Sequence, residues 1–443
     1  MGKSFFIIPQ LTIARLCAKR PRLTVSLLLL FQTLSAAPDS LLVDQVWAGH
    51  PLGFDIYTEG PYQYVCYYDK ERNMVIAQRE LNSRTWKKKV LPSKTQWDSH
   101  NYVRVILDKQ GYIHLSGNMH NVPLIYFKSE KPHDISAFTA GTMTGAREDR
   151  VTYPVFFKDP QGDLYFQYRN GKSGEGSTYW KKYLADQKKW TDVFDKPLFD
   201  GENEANSYMS RLVQGPDGYF YMIWMWRLTY IANTNHNLSC VRTKDFKTWE
   251  NIRGQPVELP LKWSSNRTTV DPVGPWNGLI NMHFSISWDT RQRACVSYHK
   301  YDESGHSQVF IARWEKDRWK NYQVSRWPGY TWNLDLGGSL TTGVRPSALT
   351  TDRRGRLQMD YFHEVYGSGR WTLDPERLTI TSEEKIPGET TTVEKVFGLE
   401  LQPRTAADNT GRFRLQWQTL PANRDRPRDL PEPVVRPLYV VLP

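Results

Sequence analysis

A recurring turn-and-strand unit constrains this chain more than any other feature of its sequence. Four times a turn cluster precedes an alternating, aromatic-rich run: Asp108-Lys109-Gln110-Gly111 before YIHLS, Asp159-Pro160-Gln161-Gly162 before DLYFQYR, Gly215-Pro216-Asp217-Gly218 before YFYMIWMW, and Asp352-Arg353-Arg354-Gly355 before RLQMDYF. Asp, Pro and Gly in this arrangement make tight turns, with Gly supplying the positive φ. A second marker, a basic residue followed closely by Trp, ends the unit at Trp86, Trp190, Trp249, Trp319 and Trp371. The two markers keep one order: strand, turn, strand, strand, turn, Trp. Helical periodicity is nearly absent, so the chain is expected to be all-β. Four short strands per unit, repeating every 50 to 70 residues or so, predict a seven-bladed β-propeller. The expected blades are 41–90, 91–140, 141–199, 200–258, 259–325, 326–393 and 394–443. The strand-like FRLQWQTL and PLYVVL near the C-terminus are expected to close the ring by pairing with the first blade, which removes free edges. The Pro/Arg-rich stretch between them reads as a loop with no functional signal.

The N-terminus carries an address. Lys19, Arg20 and Arg22 precede the apolar run Leu23–Leu34, which ends in Ser35-Ala36-Ala37. A charged region, a short hydrophobic core and a small-residue cleavage site make an export signal, expected over residues 1–37. The run is too short for a comfortable membrane span, and no later one is apolar enough. Residues 38–443 are then expected to form one catalytic propeller domain, secreted or periplasmic and monomeric. Cys66, Cys240 and Cys295 remain beyond the signal, an odd number, which excludes a disulfide framework. They read as buried core thiols. With His236, His283 and His299, Cys240 and Cys295 also offer a candidate structural metal set, although the spacing matches no finger pattern.

Charge narrows the partner. The net charge is +11, which points to an anionic partner. The basic residues are dispersed, and no helix-turn-helix, zinc-finger or RNP pattern is present. An acidic polysaccharide is therefore favoured over nucleic acid. The 17 Trp and 24 Tyr suit both β-structure and stacking on sugar faces.

Three stretches hold the candidate chemistry. Between Trp97 and Phe127 lie His100, His114 and His120; His100 and His120 flank two β-type runs beside Asn101, Asn118 and Asn121, whereas His114 is mid-strand and structural. In the third unit, Tyr153 and Arg169 stand at opposite ends of one hairpin, so the 158–162 turn brings them to the same end of the blade. The glycine-rich run after Arg169 lacks Walker spacing and a following helix, which excludes a phosphate loop. The fourth unit repeats the placement with Tyr208 and Arg227. Arg holds a carboxylate bidentately and stays charged. Neutralising a uronate carboxylate acidifies its C5–H. A His or Tyr can then remove that proton, and a Tyr hydroxyl can protonate the departing O4. The sum is β-elimination. Hydrolysis instead needs two carboxylates flanking the bond, and Asp98, Glu148, Asp149, Glu202 and Glu204 are near enough in sequence to keep it open.

The segments WDSHN…GYIHLSGNMHNVPLIYFKS and VTYPVFF…GDLYFQYRNGKSGEG resemble the BNR-repeat family of secreted seven-bladed propellers, which includes ulvan lyases and related rhamnose–glucuronate lyases. The resemblance runs from about residue 42 to the C-terminus and is densest over 97–176. It implies His100 as catalytic base and Tyr153 as catalytic acid. It implies His120 and Arg169 as the pair that binds the uronate carboxylate, with Tyr208 as a further active-site tyrosine. Asn101, beside His100, and Arg227, placed in its unit as Arg169 is in the one before, are further expected substrate contacts. Family members differ over whether His or Tyr takes the proton, so that choice stays open. No cofactor is expected for catalysis. Some members carry a structural metal, so zinc or calcium remains a candidate here without an assigned ligand set. The expectation is an exported lyase acting on a rhamnose- and uronate-containing, ulvan-like polysaccharide. Its rivals are a glycoside hydrolase of α-L-rhamnosidase or sialidase type, and a propeller that binds anionic glycan without cleaving it.

Overall fold

The computed structural model describes residues 39–386 and 394–443. The expected export signal at 1–37 lies outside the described residues. Within them the chain is all-β: seven antiparallel-dominated sheets of four or more strands, one two-stranded ribbon, and three single-turn 3-10 segments. No helix among the described residues is long and apolar enough to cross a membrane.

The sheets follow one another along the chain. Sheet I holds Asp55–Glu59, Tyr62–Tyr68, Asn73–Glu80 and Lys87–Lys94; sheet II holds Val103–Leu107, Ile113–Gly117, Tyr126–Ser129 and Phe138–Ala140. Sheet III is built on Val151–Lys158, Leu164–Asn170 and Ser177–Leu184, with His120–Val122 added at its edge. Sheet IV runs Asn206–Met209, Phe220–Arg227, Asn235–Thr243 and Thr269–Asp271. Sheet V runs Ser285–Trp288, Ala294–Tyr301, Ser307–Glu315 and Arg318–Gln323. Sheet VI runs Val344–Pro346, Leu357–His363, Gly367–Leu373 and Ile380–Ile386. Sheet VII takes Gln402–Ala407, Arg414–Thr419 and Val435–Val441, and is completed by the N-terminal strand Ser40–Trp47. The first strands of sheets I, II, III, IV and VII all contribute to one cavity of 380 Å³.

That last pairing corrects the expected unit boundaries. Ser40–Trp47 lies antiparallel to Val435–Val441, from Ser40 opposite Val441 to Trp47 opposite Val435. The first sheet therefore begins at Asp55, not at residue 41, and the N-terminal strand joins the last unit rather than the C-terminal strand joining the first. Residue 41 and its neighbours carry a strand pattern, but nothing local says which sheet they join.

The hairpin turns explain why the strands start where they do. Asp108 Oδ1 accepts the backbone N–H groups of Gln110 and Tyr112 at 2.8 and 3.0 Å, and Gly111 adopts φ +82°. Asp159, Asp302, Asp352 and Asp408 fold their turns the same way, each accepting the N–H four residues on. At Asp69 and Asp289 the left-handed position is held by Arg72 and Gln292 instead of Gly. Those two turns are silent in a search for Gly.

Between sheets the core is aromatic. Trp180, Trp224 and Trp226 are fully buried with Phe199 and Phe246 between sheets III and IV. Cys66, Cys240 and Cys295 are unpaired and buried, and Cys240 and Cys295 belong to different core clusters. They do not assemble with His236, His283 and His299: among the described residues, the one group of three or more His, Cys, Asp or Glu within ligating reach is Asp98, His100 and His120.

Leu41, Val43 and Val46 are buried by the shared sheet VII, each contributing about 2 kcal/mol. A protein lacking residues 39–47 should melt about 10 °C lower and aggregate through the bared Val435–Val441 edge. Differential scanning calorimetry and light scattering check this; an unchanged melting temperature contradicts the shared sheet.

Candidate active site

One carboxylate organises the site. Asp98 caps the short turn Ser99–Asn101, accepting the His100 backbone N–H at 2.9 Å. The same Oδ1 lies 2.6 Å from His100 Nδ1, and Oδ2 lies 2.5 Å from His120 Nδ1. The two imidazole rings stack at 3.9 Å between centroids. His120 reaches this position because His120–Val122 pairs with Val151 and Thr152 at the edge of sheet III. Asn118 and Asn121, both at positive φ, turn the chain on either side.

Tyr153 is presented by a bulge. The register of Val151–Lys158 against Leu164–Asn170 slips between Thr152 and Val155, and Tyr153 sits at φ +60°. A tyrosine in the left-handed region costs about 1–3 kcal/mol, and such strain collects at functional sites. The bulge turns the side chain out of the sheet's alternation, and its hydroxyl comes 3.1 Å from His100 Nε2.

Arg169 lies opposite Thr152 in the ladder, and its guanidinium carbon is 4.9 Å from the Tyr153 ring centre. It is only 3% exposed. Nε donates to Gly171 O at 2.9 Å and Nη2 to Thr152 Oγ1 at 3.3 Å, while Nη1 is buried without a partner. The glycine-rich run serves this arrangement. Gly171 has φ +109°, and a Cβ on Gly176 would stand 2.6 Å from Arg169 Cδ. Arg169 thus places its charge beneath the phenol rather than in an open cleft.

Tyr208 and Arg227 repeat the pattern in sheet IV. The Arg227 guanidinium carbon is 5.2 Å from the Tyr208 ring centre, and the Tyr153 and Tyr208 rings meet edge to face at 5.8 Å. Tyr208 OH lies 3.1 Å from Ser173 Oγ. Arg227 donates to the carbonyls of Ile231 and Tyr230. Asn101, an expected substrate contact, is buried; its carbonyl accepts the Tyr68 hydroxyl at 2.6 Å, and it does not line the cavity described below. The turn that puts His100 at the surface turns its neighbour inward. His114 is fully buried between Tyr126 OH at 2.7 Å and Asp108 at 3.2 Å.

His100, Tyr153 and Arg227 open into a cavity of 740 Å³, together with His283, Arg345 and Arg404. None of the cavity-lining residues is an Asp or Glu. Arg345 and Arg404 come from the first strands of sheets VI and VII and carry no ion pair among the described residues. Reading the sequence missed both, along with Asp425. Asp425 sits in the Pro/Arg-rich loop, accepts the N–H groups of Ser99 and Ser339 at 2.9 and 3.0 Å, bonds His50 Nε2 at 3.1 Å, and approaches His100 Nδ1 to 3.8 Å. That loop, which carries no functional signal in the sequence, therefore anchors the turn that bears His100. Of the other candidate acids, Glu148 accepts three backbone N–H groups and pairs with Lys181, Glu202 pairs with Lys262, and Asp149 accepts from Asn170 Nδ2 at 3.3 Å.

Protonation states follow from these contacts. Burial opposes a charge on Asp98, but the hydrogen bonds and charges of His100 and His120 outweigh it and hold the carboxyl well below its usual range. Burial, with the neighbouring His120, depresses His100 despite the opposing pull of Asp98 and Asp425. His100 is therefore neutral at pH 7. With its Nδ1 hydrogen given to Asp98, its Nε2 lone pair faces the Tyr153 hydroxyl. Burial and the neighbouring Tyr208 push Tyr153 well above the usual phenol range. For Tyr208, burial is outweighed by Arg227 and Arg169, which bring its phenol down to about 7. Of the two adjoining phenols, Tyr208 gives up its proton first.

Asp98, His100 and His120 are the residues able to hold a metal among those described. Their arrangement does not fit one. The Asp98 oxygens lie at hydrogen-bond distance from the two Nδ1 atoms, whereas two ligands on one zinc with bonds of about 2.0–2.2 Å stand more than 3 Å apart.

Comparison with known proteins agrees with the fold. The polysaccharide lyase Uly1 superposes with a TM-score of 0.59 at 14% identity, covering 88% of this chain and 90% of that one. An ulvan lyase of family PL25 gives 0.60 at 13% identity over 92% and 96% of the two chains. A PL25 ulvan lyase bound to -[GlcA(1-4)Rha3S]- gives 0.59 at 13% over 90% and 95%. At these identities the likeness establishes a shared fold. No curated protein sequence matches the chain significantly. A family model described as a BNR repeat-containing family member matches residues 62–327. That match spans more than half of the 443 residues, and the protein belongs to the BNR repeat-containing family.

Proposed function

We propose that the protein is a secreted polysaccharide lyase that cleaves a rhamnose- and uronate-containing polysaccharide by β-elimination, and that its seven sheets are the blades of a propeller with the site at one end of the axis. The observation that carries this reading is the cavity's composition. It joins a neutral His100 to the Tyr153 hydroxyl among three arginines, with no carboxylate in the lining. Hydrolysis of a glycosidic bond by the usual route needs two carboxyl groups facing the sugar, whereas Asp98 is held by imidazoles, Glu148 by backbone N–H groups and Lys181, and Glu202 by Lys262. The fold shared with polysaccharide lyases supports the same reading. For the propeller, support comes from the seven successive sheets, the N-terminal strand completing the last one, and the first strands meeting at common cavities.

The chemistry runs through the chain's own residues. A uronate carboxylate in the cavity is neutralised by Arg227, Arg345 and Arg404, which line it, and this makes the sugar's C5–H more acidic. His100 Nε2 takes that proton, the C5–H electrons form the C4=C5 bond, and the C4–O4 bond breaks. Tyr153, kept protonated by burial, gives its hydrogen to the departing O4. Asp98 stabilises the imidazolium that forms. The 3.1 Å contact between His100 and Tyr153 then lets the imidazolium return a proton to the phenolate. Acid and base stand side by side, so they serve one face of the ring, a syn elimination. Arg169 acts through the Tyr153 ring, holding its place and stabilising the transient phenolate. Charge is balanced throughout by Arg and His, so catalysis needs no metal.

Incubation with a glucuronate–rhamnose polysaccharide should generate the absorbance of a C4=C5 unsaturated uronate; new reducing ends without that absorbance would sink the proposal in favour of a hydrolase. Tyr153→Phe keeps the ring and loses the proton donor, so turnover should fall by about 10²–10⁴ while oligosaccharide binding by calorimetry stays near that of the parent; a near-normal rate removes Tyr153 from the mechanism. The base must be neutral, and His100 is depressed below its ordinary 6.5. The acid limb of kcat/KM should accordingly fall below pH 6.5 and disappear in His100→Ala; an acid limb above 6.5 contradicts the assignment. Dialysis against a chelator should leave the rate within about twofold of the start, since no charge stabilisation is assigned to a metal.

A further inference from the structure

A second cavity, of 680 Å³, lies away from the catalytic residues, between the edges of sheets IV and V. Its walls come from Thr269–Asp271, the last strand of sheet IV, from Arg318–Gln323, the last strand of sheet V, and from the loop of 251–256. The site-bearing strand Asn206–Met209 is at the opposite edge of sheet IV, three strand spacings or about 14 Å away.

The lining is distinctive. Arg253, Arg267 and Arg318 are all exposed around it, and no Asp or Glu is among the lining residues. Arg253 is paired with Asp317, outside the lining, at 3.3 Å. Arg267 and Arg318 have no ion pair among the described residues. Trp314 and Trp319, both half-buried, meet edge to face at 5.6 Å, and the Arg253 guanidinium carbon lies 5.7 Å from the Trp314 ring centre. Asn266 adds an exposed amide on the rim.

We infer that this cavity is a second glycan-binding site, which takes an anionic saccharide segment and anchors the polymer outside the catalytic cavity. Indole faces accept the C–H surfaces of sugar rings. Arginine forks pair with uronate carboxylates or sulfate esters, recognising anions by geometry as well as charge. A wall without acids removes the repulsion that an anionic chain meets elsewhere. A neutral glucan would gain stacking but not the arginine contacts. Single-stranded nucleic acid would use the same rings and charges, but the amide groups between the arginines suit sugar hydroxyls. The inference rests on the proposed choice of an anionic polysaccharide, but not on its cleavage.

The test separates the two. Affinity electrophoresis of the full chain in the Tyr153→Phe background, through gels containing an alternating glucuronate–rhamnose-3-sulfate polymer, reads binding without turnover. Arg267→Ala/Arg318→Ala should weaken retention about fivefold or more, with unchanged mobility in neutral dextran and an unchanged melting temperature. In the active parent, the same pair of substitutions should lower kcat/KM on the polymer and leave it unchanged on a tetrasaccharide, which fills only the catalytic cavity. Equal retention of variant and parent overturns the site. An equal loss on polymer and tetrasaccharide also overturns it, by making the arginines part of the catalytic cleft. So does displacement of the polymer by single-stranded DNA at equal charge concentration, which reassigns the cavity to nucleic acid. If no cleavage occurs on any substrate while retention still depends on the two arginines, the lyase reading fails and the second site stands.

Discussion

The arrangement of the site depends on one half-buried carboxylate shared between two imidazoles. Asp98 binds His100 with one oxygen and His120 with the other, and everything the cavity can do follows from the orientation this imposes. A carboxylate drawn partly out of water is costly unless it is hydrogen-bonded, and Asp98 meets that cost with two ring N–H groups and a backbone amide. In return the carboxylate fixes the tautomer of His100, which aims the Nε2 lone pair at Tyr153. Asp425 supports the pair from behind. It ties the C-terminal loop to Ser99, Ser339 and His50, groups that come from three distant parts of the chain.

Rigidity comes from the scaffold. His100 sits on a turn between sheets I and II, His120 and Tyr153 at the edge and bulge of sheet III, Tyr208 on the first strand of sheet IV, and Arg345 and Arg404 on those of sheets VI and VII. No single sheet holds more than a fraction of the site. The geometry of the site is therefore only as good as the packing between sheets, which explains the large aromatic residues there: Phe199, paired to sheet III, against Trp224 of sheet IV at 4.9 Å, and Tyr221 of sheet IV against Trp288 of sheet V at 5.4 Å. The strain in Tyr153 is tolerated because both neighbours in the ladder, Thr152 and Val155, stay paired.

Much of this was legible in local sequence. Turn residues fix the hairpins, and a hairpin fixes which residues share an end; Tyr153 with Arg169, and Tyr208 with Arg227, were readable for that reason. His100 and His120 stood out because they flank two strands. What local pattern cannot carry is the long-range pairing. Ser40–Trp47 reads as a strand, but its partner lies at the far end of the chain. Arg345, Arg404 and Asp425 arrive through stretches with no periodicity, so nothing marked them as neighbours of His100. Pairing in the ladder also leaves a side chain's direction open. It placed Arg169 beside Tyr153 but not the turn of its guanidinium inward to Gly171, and it could not tell that Asn101 faces away from the cavity.

The central claim is that bond cleavage here is an elimination run by His100 and Tyr153. Mass spectrometry of the products from a defined glucuronate–rhamnose oligosaccharide tests it most directly. Elimination adds nothing to the substrate, so the two fragment masses should sum to the mass of the intact oligosaccharide, with the unsaturated sugar at the new non-reducing end. Fragments that together weigh one water more than the substrate would identify hydrolysis and contradict the account.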